Sequence, residues 1–324
     1  MTNAHGGPAA ADGGATMTIV GGGKFGRALA SVARRCGTRV ALWSRRDQPP
    51  LPEGVTSFAS LAEVARFSRL IFFCVPAAHA RGVLRVLGDV TDGGHLLVHA
   101  ARGLEPSGAP VSRIVREETP LRRVGVLAGP LVPAELEASI PSAIVVASRY
   151  AEVTHAAQAA LSHEQLRVYG SDDLVGVELS AALMTVVALT SGLVTGLGGG
   201  ASTRALVVAR GIAQSARLLE AMGAKTRTLS GLGGVGEVFV TAQGVESPDY
   251  DLGFALAGGA SFAAALERVG RSCEAPSVAR SMAKLARERR VRAPIFSAVA
   301  EIVDGTRAPQ EALREFFVNA PTEI

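Results

Sequence analysis

From Met17 onward the chain alternates short apolar runs with amphipathic stretches of helical period. TMTIV is a β-branched run that ends in glycines, and KFGRALASVARRCG follows with Phe25, Leu29, Val32 and Cys36 near one helical face. TRVALW reads as a second strand, LAEVARFS as a helix, RLIFFCV as a largely apolar strand and AAHARGVLRVLG as another helix. HLLVHA, RVGVLAG and SAIVVAS are three more apolar runs, separated by turns. Strands that alternate with helices and are apolar on both faces predict a doubly wound parallel sheet covered by helices.

The texture changes near residue 172. After LRVYGSDD no run reads as a strand, and apolar periodicity predicts helices over 173–195, 201–223, 259–268, 274–289, 293–304 and 309–318. Asp172 or Asp173 is placed to cap the first of these, since free backbone N–H groups there need an acceptor. The expected architecture is an α/β domain over 16–172 and an all-helical domain over 173–324, with a cleft between them. Residues 1–15, rich in Gly, Ala and Pro, read as a flexible tail.

Composition narrows the classes. Of 324 residues 48% are hydrophobic and 19% charged, which is a globular balance. Thirty of the 33 basic residues are arginine, yet no five fall in a row and aromatics are few, so nucleic-acid binding is not expected. Cys36, Cys74 and Cys273 are far apart and form no CxxC pair, so they read as free thiols, with no metal site. The N-terminus lacks a signal-peptide pattern. The longest apolar segment, LMTVVALTSGLVTGLGGG, is interrupted by Gly192 and Gly196 and lacks charged flanks, so it reads as a buried helix rather than a membrane span. A soluble, cytoplasmic protein is expected.

The chemistry begins at IVGGGKFGRALA, a GxGxxG word at Gly21, Gly23 and Gly26. Alone that motif is weak, but here it follows a strand, opens a helix, and precedes a second strand end by about 20 residues. Gly21 permits a tight turn, Gly23 lets backbone approach a pyrophosphate, and Gly26 allows close helix–strand packing. The second strand ends in LWSRR, where an NAD site commonly has an acidic residue for the ribose hydroxyls. Ser44, Arg45 and Arg46 suit a 2′-phosphate instead, so NADP(H) is expected over NAD(H).

At this point the sequence resembles the bacterial NAD(P)-dependent glycerol-3-phosphate dehydrogenases over nearly its whole length after the tail. The resemblance rests on IVGGGKFGRALA, LWSRR, CVPAAHARGVL, ARGLEP, VLAGPLVPAELEASIPSAIVVAS, LRVYGSDDLVGVELSAAL, STRALVVARGIAQSARLLEAMGA and LSGLGGVGEVFVT, in that order. It implies an N-terminal Rossmann-type domain, a C-terminal helical domain, a homodimer, and reduction of dihydroxyacetone phosphate. It also adds Lys24, Phe25 and Pro76 to the cofactor-binding set.

The departures gather where the family's chemistry sits. The family's Lys in T-K-G-[IL]-E is Arg102 here, and its catalytic Lys-Asn pair is Met184-Thr185, which leaves Met184 not competent. No lysine lies between residues 25 and 224, so no shift of register restores one. Glu237 stands for the family's Asp, Ser202-Thr203-Arg204 for Asn-Thr-[KR], and Leu131 for the Ser or Asn of GP[SN]. The Arg-Asn pair that grips the substrate phosphate is expected at 248–249, where this chain has Pro248 and Asp249. Thr241 is retained.

Ketone reduction needs a hydride donor and a proton donor or cation where charge develops on oxygen. Methionine supplies neither. Arg102 keeps a charge but not a transferable proton. His99, at the C-terminal end of HLLVHA, is the candidate substitute donor, with a satisfied strand-end histidine as its alternative. Glu237 and Glu178 are carboxyl candidates, Glu178 reading more as a salt bridge or cap. Three functions stay open: an oxidoreductase redirected to another small-molecule carbonyl or imine, a non-catalytic NADP(H) sensor or partner subunit, and a scaffold.

Overall fold

A computed structural model describes residues 15–46 and 50–318, so the expected tail lies outside the described residues except for Ala15. Eight strands form one sheet: β1 (Thr16–Val20), β2 (Arg39–Trp43), β3 (Val55–Phe58), β4 (Leu70–Phe73), β5 (Leu96–His99), β6 (Arg123–Ala128), β7 (Ser142–Ser148) and β8 (Leu166–Ser171). Their order is β3-β2-β1-β4-β5-β6-β7-β8, with β1 parallel to both β2 and β4. The order reverses between β1 and β4, which opens a crevice at the strand C-termini.

The sheet is mostly parallel rather than fully so, because β7 runs antiparallel to β6 with Gly125 opposite Ser148. The link between them holds only the five-residue helix α5 (Pro133–Glu137), too little to carry the chain back to the start of the sheet. The other helices of this domain are α1 (Lys24–Arg35), α2 (Leu61–Phe67), α3 (Ala77–Gly88), α4 (Val111–Glu118) and α6 (Ala151–Leu161). Where the sequence predicted turns around RVGVLAG, α4 and α5 are found instead. Eight and five residues are too short to display a helical period. Strands β3 and β8 were also not foreseen. β8 alternates buried Leu166 and Val168 with exposed Arg167 and Tyr169, as a one-sided edge strand does.

Strand alternation sends side chains to two separate cores. Leu70 and Phe72 of β4 face one core with Ile19, Leu29, Val98 and Ile144. Ile71 and Phe73 face the other with Leu84, Ile114 and Val124.

The helical domain contains α7 (Leu174–Gly196), α8 (Ala201–Ala221), α9 (Glu237–Thr241), α10 (Pro248–Ala257), α11 (Phe262–Val269), α12 (Ala275–Arg289), α13 (Pro294–Val303) and α14 (Pro309–Val318). Asp173 caps α7, its Oδ1 accepting from the Gly176 N–H at 3.0 Å. The most apolar stretch of α7 is 89% buried, so its hydropathy belongs to a core helix. Gly192 is a contact surface as well as a break in the apolar run. A Cβ there would lie 2.0 Å from the Tyr250 carbonyl, and one at Gly253 would lie 2.0 Å from that of Leu189. These glycines let α10 lie backbone to backbone on α7, and α10, like α6 and α9, is a helix the sequence did not predict. It starts at a proline behind a Ser247 cap, whose Oγ accepts from the Tyr250 N–H at 3.3 Å.

Candidate active site

The glycine turn leaves β1 with Gly21 at φ 121°, a conformation that side chains rarely adopt. A Cβ at Gly21 would lie 2.5 Å from the Cys74 carbonyl, and one at Gly26 would lie 2.0 Å from that of Gly21. Gly23 has open space around it and caps α1 with no side-chain hydrogen bond. The first N–H groups of α1 are therefore left to an outside acceptor, which is the geometry a dinucleotide pyrophosphate fits.

Around this turn the proposed cofactor residues collect. Lys24 is 65% exposed and reaches across the cleft to Glu246, Nζ to Oε1 at 3.5 Å. Phe25 packs on the core beneath. Ser44, Arg45 and Arg46 follow β2, with the Ser44 Oγ accepting from the Arg46 N–H at 3.4 Å and both arginines exposed. Pro76 stands at the start of α3, in the loop after β4.

Across the cleft, one arginine meets three carboxyl groups. Arg102, in the loop after β5 and one-third exposed, ion-pairs with Glu237, which is 2% exposed at the start of α9. The Gly129 N–H after β6 also favours the charged form of Glu237, while the Glu237 Oε2 is buried without a hydrogen-bond partner. Asp249 of α10 accepts from the Ala275 N–H at 2.8 Å. Glu274 accepts from the Ala77 N–H at 2.9 Å, at the first turn of α3. Each group comes from a strand or helix end that borders the crevice. Gly103 in ARGLE makes room for Glu274, since a Cβ there would lie 2.0 Å from the Glu274 Oε2. In the sequence Asp249 stands out only as a lost phosphate ligand, and Glu274 does not stand out. Among the described residues no three His, Cys, Asp or Glu side chains converge closely enough to hold a metal ion.

Burial governs the acidity of this cluster. It pushes the Glu237 carboxyl up, against the opposing pull of Arg102. It raises Asp249 to about 6 and Glu274 to about 7, the charge of Asp249 adding to the latter. A carboxyl that titrates near neutrality can donate a proton at working pH. It also makes stability pH-dependent. The native Asp249 and Glu274 hold protons that an unfolded chain, with values of 3.8 and 4.5, has already released. Their contribution is thus fully present below about pH 4 and is lost as pH rises through about 6 to 7. Melting temperature is expected to fall between about pH 5 and about pH 8, and Glu274→Gln to flatten that fall. A melting temperature that instead rises over this range would remove the assignment.

The remaining candidates lie elsewhere. His99 has no exposed surface, and its Nε2 lies 3.2 Å from Oε1 of the buried Glu178. Glu178 in turn accepts from the Ser112 N–H and Oγ, at 2.9 and 2.5 Å, and so ties α7 to α4. His99 is therefore a buried strand-end histidine beside Glu178, but neither ring nitrogen makes a hydrogen bond of normal geometry, so it is not the satisfied histidine of the alternative. Met184 has no exposed surface and sits in the helical-domain core with Leu104, Leu183 and Val187. Ser180, one turn earlier, buries a hydroxyl without a partner. Thr185 donates to the Ala182 carbonyl at 2.6 Å, and Thr241 donates to the Glu237 carbonyl at 3.0 Å. The three cysteines are unpaired, and burial pushes the Cys74 thiol up to about 12, far from a reactive thiolate.

Comparison with known proteins agrees with this layout. Residues 48–154 match the family model for the NAD-dependent glycerol-3-phosphate dehydrogenase N-terminus, and residues 173–314 match that for the C-terminus. Glycerol-3-phosphate dehydrogenase [NAD(P)+] of Halorhodospira halophila is 34% identical, over 94% of this chain and 97% of that protein. The corresponding Nostoc protein is 33% identical, over 94% and 96%. The crystal structure of glycerol-3-phosphate dehydrogenase from Coxiella burnetii superposes with a TM-score of 0.88 at 26% identity, covering 94% of this chain and 99% of that one. With both domains matched and the glycine turn in place, this chain belongs to the NAD-dependent glycerol-3-phosphate dehydrogenase family.

Proposed function

We propose that this chain is an NADP(H)-binding oxidoreductase whose substrate site is redirected from a phosphorylated ketone to an uncharged or cationic carbonyl or imine. The observation that carries the reading is the charge balance of the cluster. Arg102 is already paired with Glu237 and the neighbouring Arg271 with Asp251, while Asp249 and Glu274 add further acid groups. A phosphate dianion would meet carboxylates where it needs donors. An iminium carbon suits the same surroundings. It arrives with its nitrogen protonated, takes hydride to give a neutral amine, and requires no acid at the Met184 position. A neutral carbonyl or imine does need a proton, which Glu274 or Asp249 can supply.

The cofactor, when bound, supplies the hydride. This chain's part is to hold it at Gly21, Gly23 and Gly26, to meet its 2′-phosphate with Ser44, Arg45 and Arg46, and to border the reacting end with Pro76 and Arg102. A second reading, a sensor or partner subunit that binds the dinucleotide and turns nothing over, is supported by the full burial of Met184 and the internal pairing of Arg102.

Titration calorimetry with NADPH and NADH, followed in the same sample by cofactor oxidation with dihydroxyacetone phosphate and with cyclic imines, tests both. NADPH is expected to bind at least about tenfold more tightly than NADH, and Arg45→Glu with Arg46→Glu to erase that preference. Imine turnover without ketone turnover supports redirection. Binding without any turnover supports the sensor. Brisk dihydroxyacetone phosphate reduction, or no binding of either dinucleotide, overturns both.

A further inference from the structure

A cavity of about 570 Å³ lies away from the cleft, among α7, α8, α13 and α14. That is within the roughly 300–1,000 Å³ of sites that take small organic ligands. Its walls are apolar: Leu193 and Val194 of α7, Leu206 of α8, and Ile295, Val299 and Ile302 of α13. Its charged lining is almost all of one sign. Arg210 and Arg217 come from α8, Arg292 precedes α13 and Arg307 precedes α14, while Glu315 is the single acid among the described residues that line it. Glu315 is committed, since Arg307 ion-pairs with it and with Glu301. The Arg217 Nε donates to the Arg292 carbonyl at 3.1 Å, which seats one guanidinium beside the other residue without neutralising either.

An apolar chamber bordered by arginines selects a ligand with an apolar body and one anionic end. We propose that this cavity is a binding site for a long-chain carboxylate, its hydrocarbon among the α7, α8 and α13 side chains and its head on Arg217 and Arg292. Charge complementarity decides against a second copy of this chain as occupant. A two-fold contact through this face would bring two arginine borders together, and like charges across an interface oppose association. The site is separate from the cleft. None of its lining residues belongs to the glycine turn or to the cluster of Arg102, Glu237, Asp249 and Glu274.

The probe is dodecanoate, titrated calorimetrically into the full chain, with dodecyltrimethylammonium as a cation of equal chain length. Saturable one-to-one dodecanoate binding is expected, with the cation binding at least about tenfold more weakly. Arg217→Glu with Arg292→Glu changes two exposed side chains and is expected to weaken dodecanoate by at least about tenfold while leaving the thermal melt in place. Ala298→Trp, which fills the cavity, is expected to abolish binding. If that variant does not fold, the arginine exchange decides alone. No saturable binding, equal binding of both amphiphiles, or indifference to the arginine exchange overturns the proposal. So does a dimer in sedimentation that Ala298→Trp dissociates, because a second copy would then be the occupant.

Discussion

Replacing Met184 with lysine is expected to destabilise the fold by about 4 kcal/mol near neutral pH and to restore no reduction of dihydroxyacetone phosphate. Met184 has no exposed surface and belongs to the apolar core of the helical domain. A lysine there either buries an unpaired ammonium or gives up its proton. With a folded pKa depressed far below the free value of about 10.4, the loss is largest at and below neutral pH, where the unfolded chain stays protonated. The loss shrinks as pH rises toward that free value. Urea unfolding at about pH 6 and about pH 9 reads this directly, the variant recovering stability at the higher pH. Met184→Leu, which keeps volume and polarity, is expected to change stability by less than about 1.5 kcal/mol. A stable lysine variant that reduces the ketone would mean that only one residue separates this site from its relatives.

The second large effect concerns Arg102 and Glu237. Arg102→Met is expected to destabilise the protein by about 3–5 kcal/mol at neutral pH, because it leaves a buried carboxylate without its cation. Glu237 is 2% exposed, and its Oε2 is already buried without a hydrogen-bond partner. Burial already pushes this carboxyl up, so losing the arginine moves it further and the group takes up a proton instead. The penalty should therefore ease as pH falls and the carboxyl is protonated in both states. Arg102→Met combined with Glu237→Leu removes both charges and is expected to recover most of the loss, as replaced buried pairs commonly do. A double-mutant cycle by urea denaturation measures the coupling. A single substitution within about 0.5 kcal/mol of the parent would show that the pair carries no structural load, and would weaken the charge argument for the altered substrate.

The acid cluster shows how far residue types alone can lead. Met184, Arg102 and Glu237 stand out in the sequence because each breaks a family word at a known place. Glu274 breaks no such word and lies far along the chain from ARGLE, yet it packs against Gly103 and takes the Ala77 N–H. His99 is the candidate substitute donor in the sequence, beside the alternative of a strand-end histidine. Only its seat against Glu178, with no exposed surface, turns it inward.

What the sequence by itself determined is whatever depends on neighbours along the chain. The glycine turn, the alternation that sends Phe72 and Phe73 to opposite cores, the Asp173 cap and the apolar length of α7 are all local, and periodicity reads them. Tertiary structure alone decided the rest. The antiparallel turn-back of β7, the pairing of the edge strands β3 and β8, and the packing of α10 on α7 through Gly192 and Gly253 depend on segments remote in sequence. So does the meeting of Arg102 with Glu237, Asp249 and Glu274, whose charge and acidity follow from being brought out of water together. Burial and Coulomb interaction depend on distance in space, and that distance is set only when the two domains close on each other.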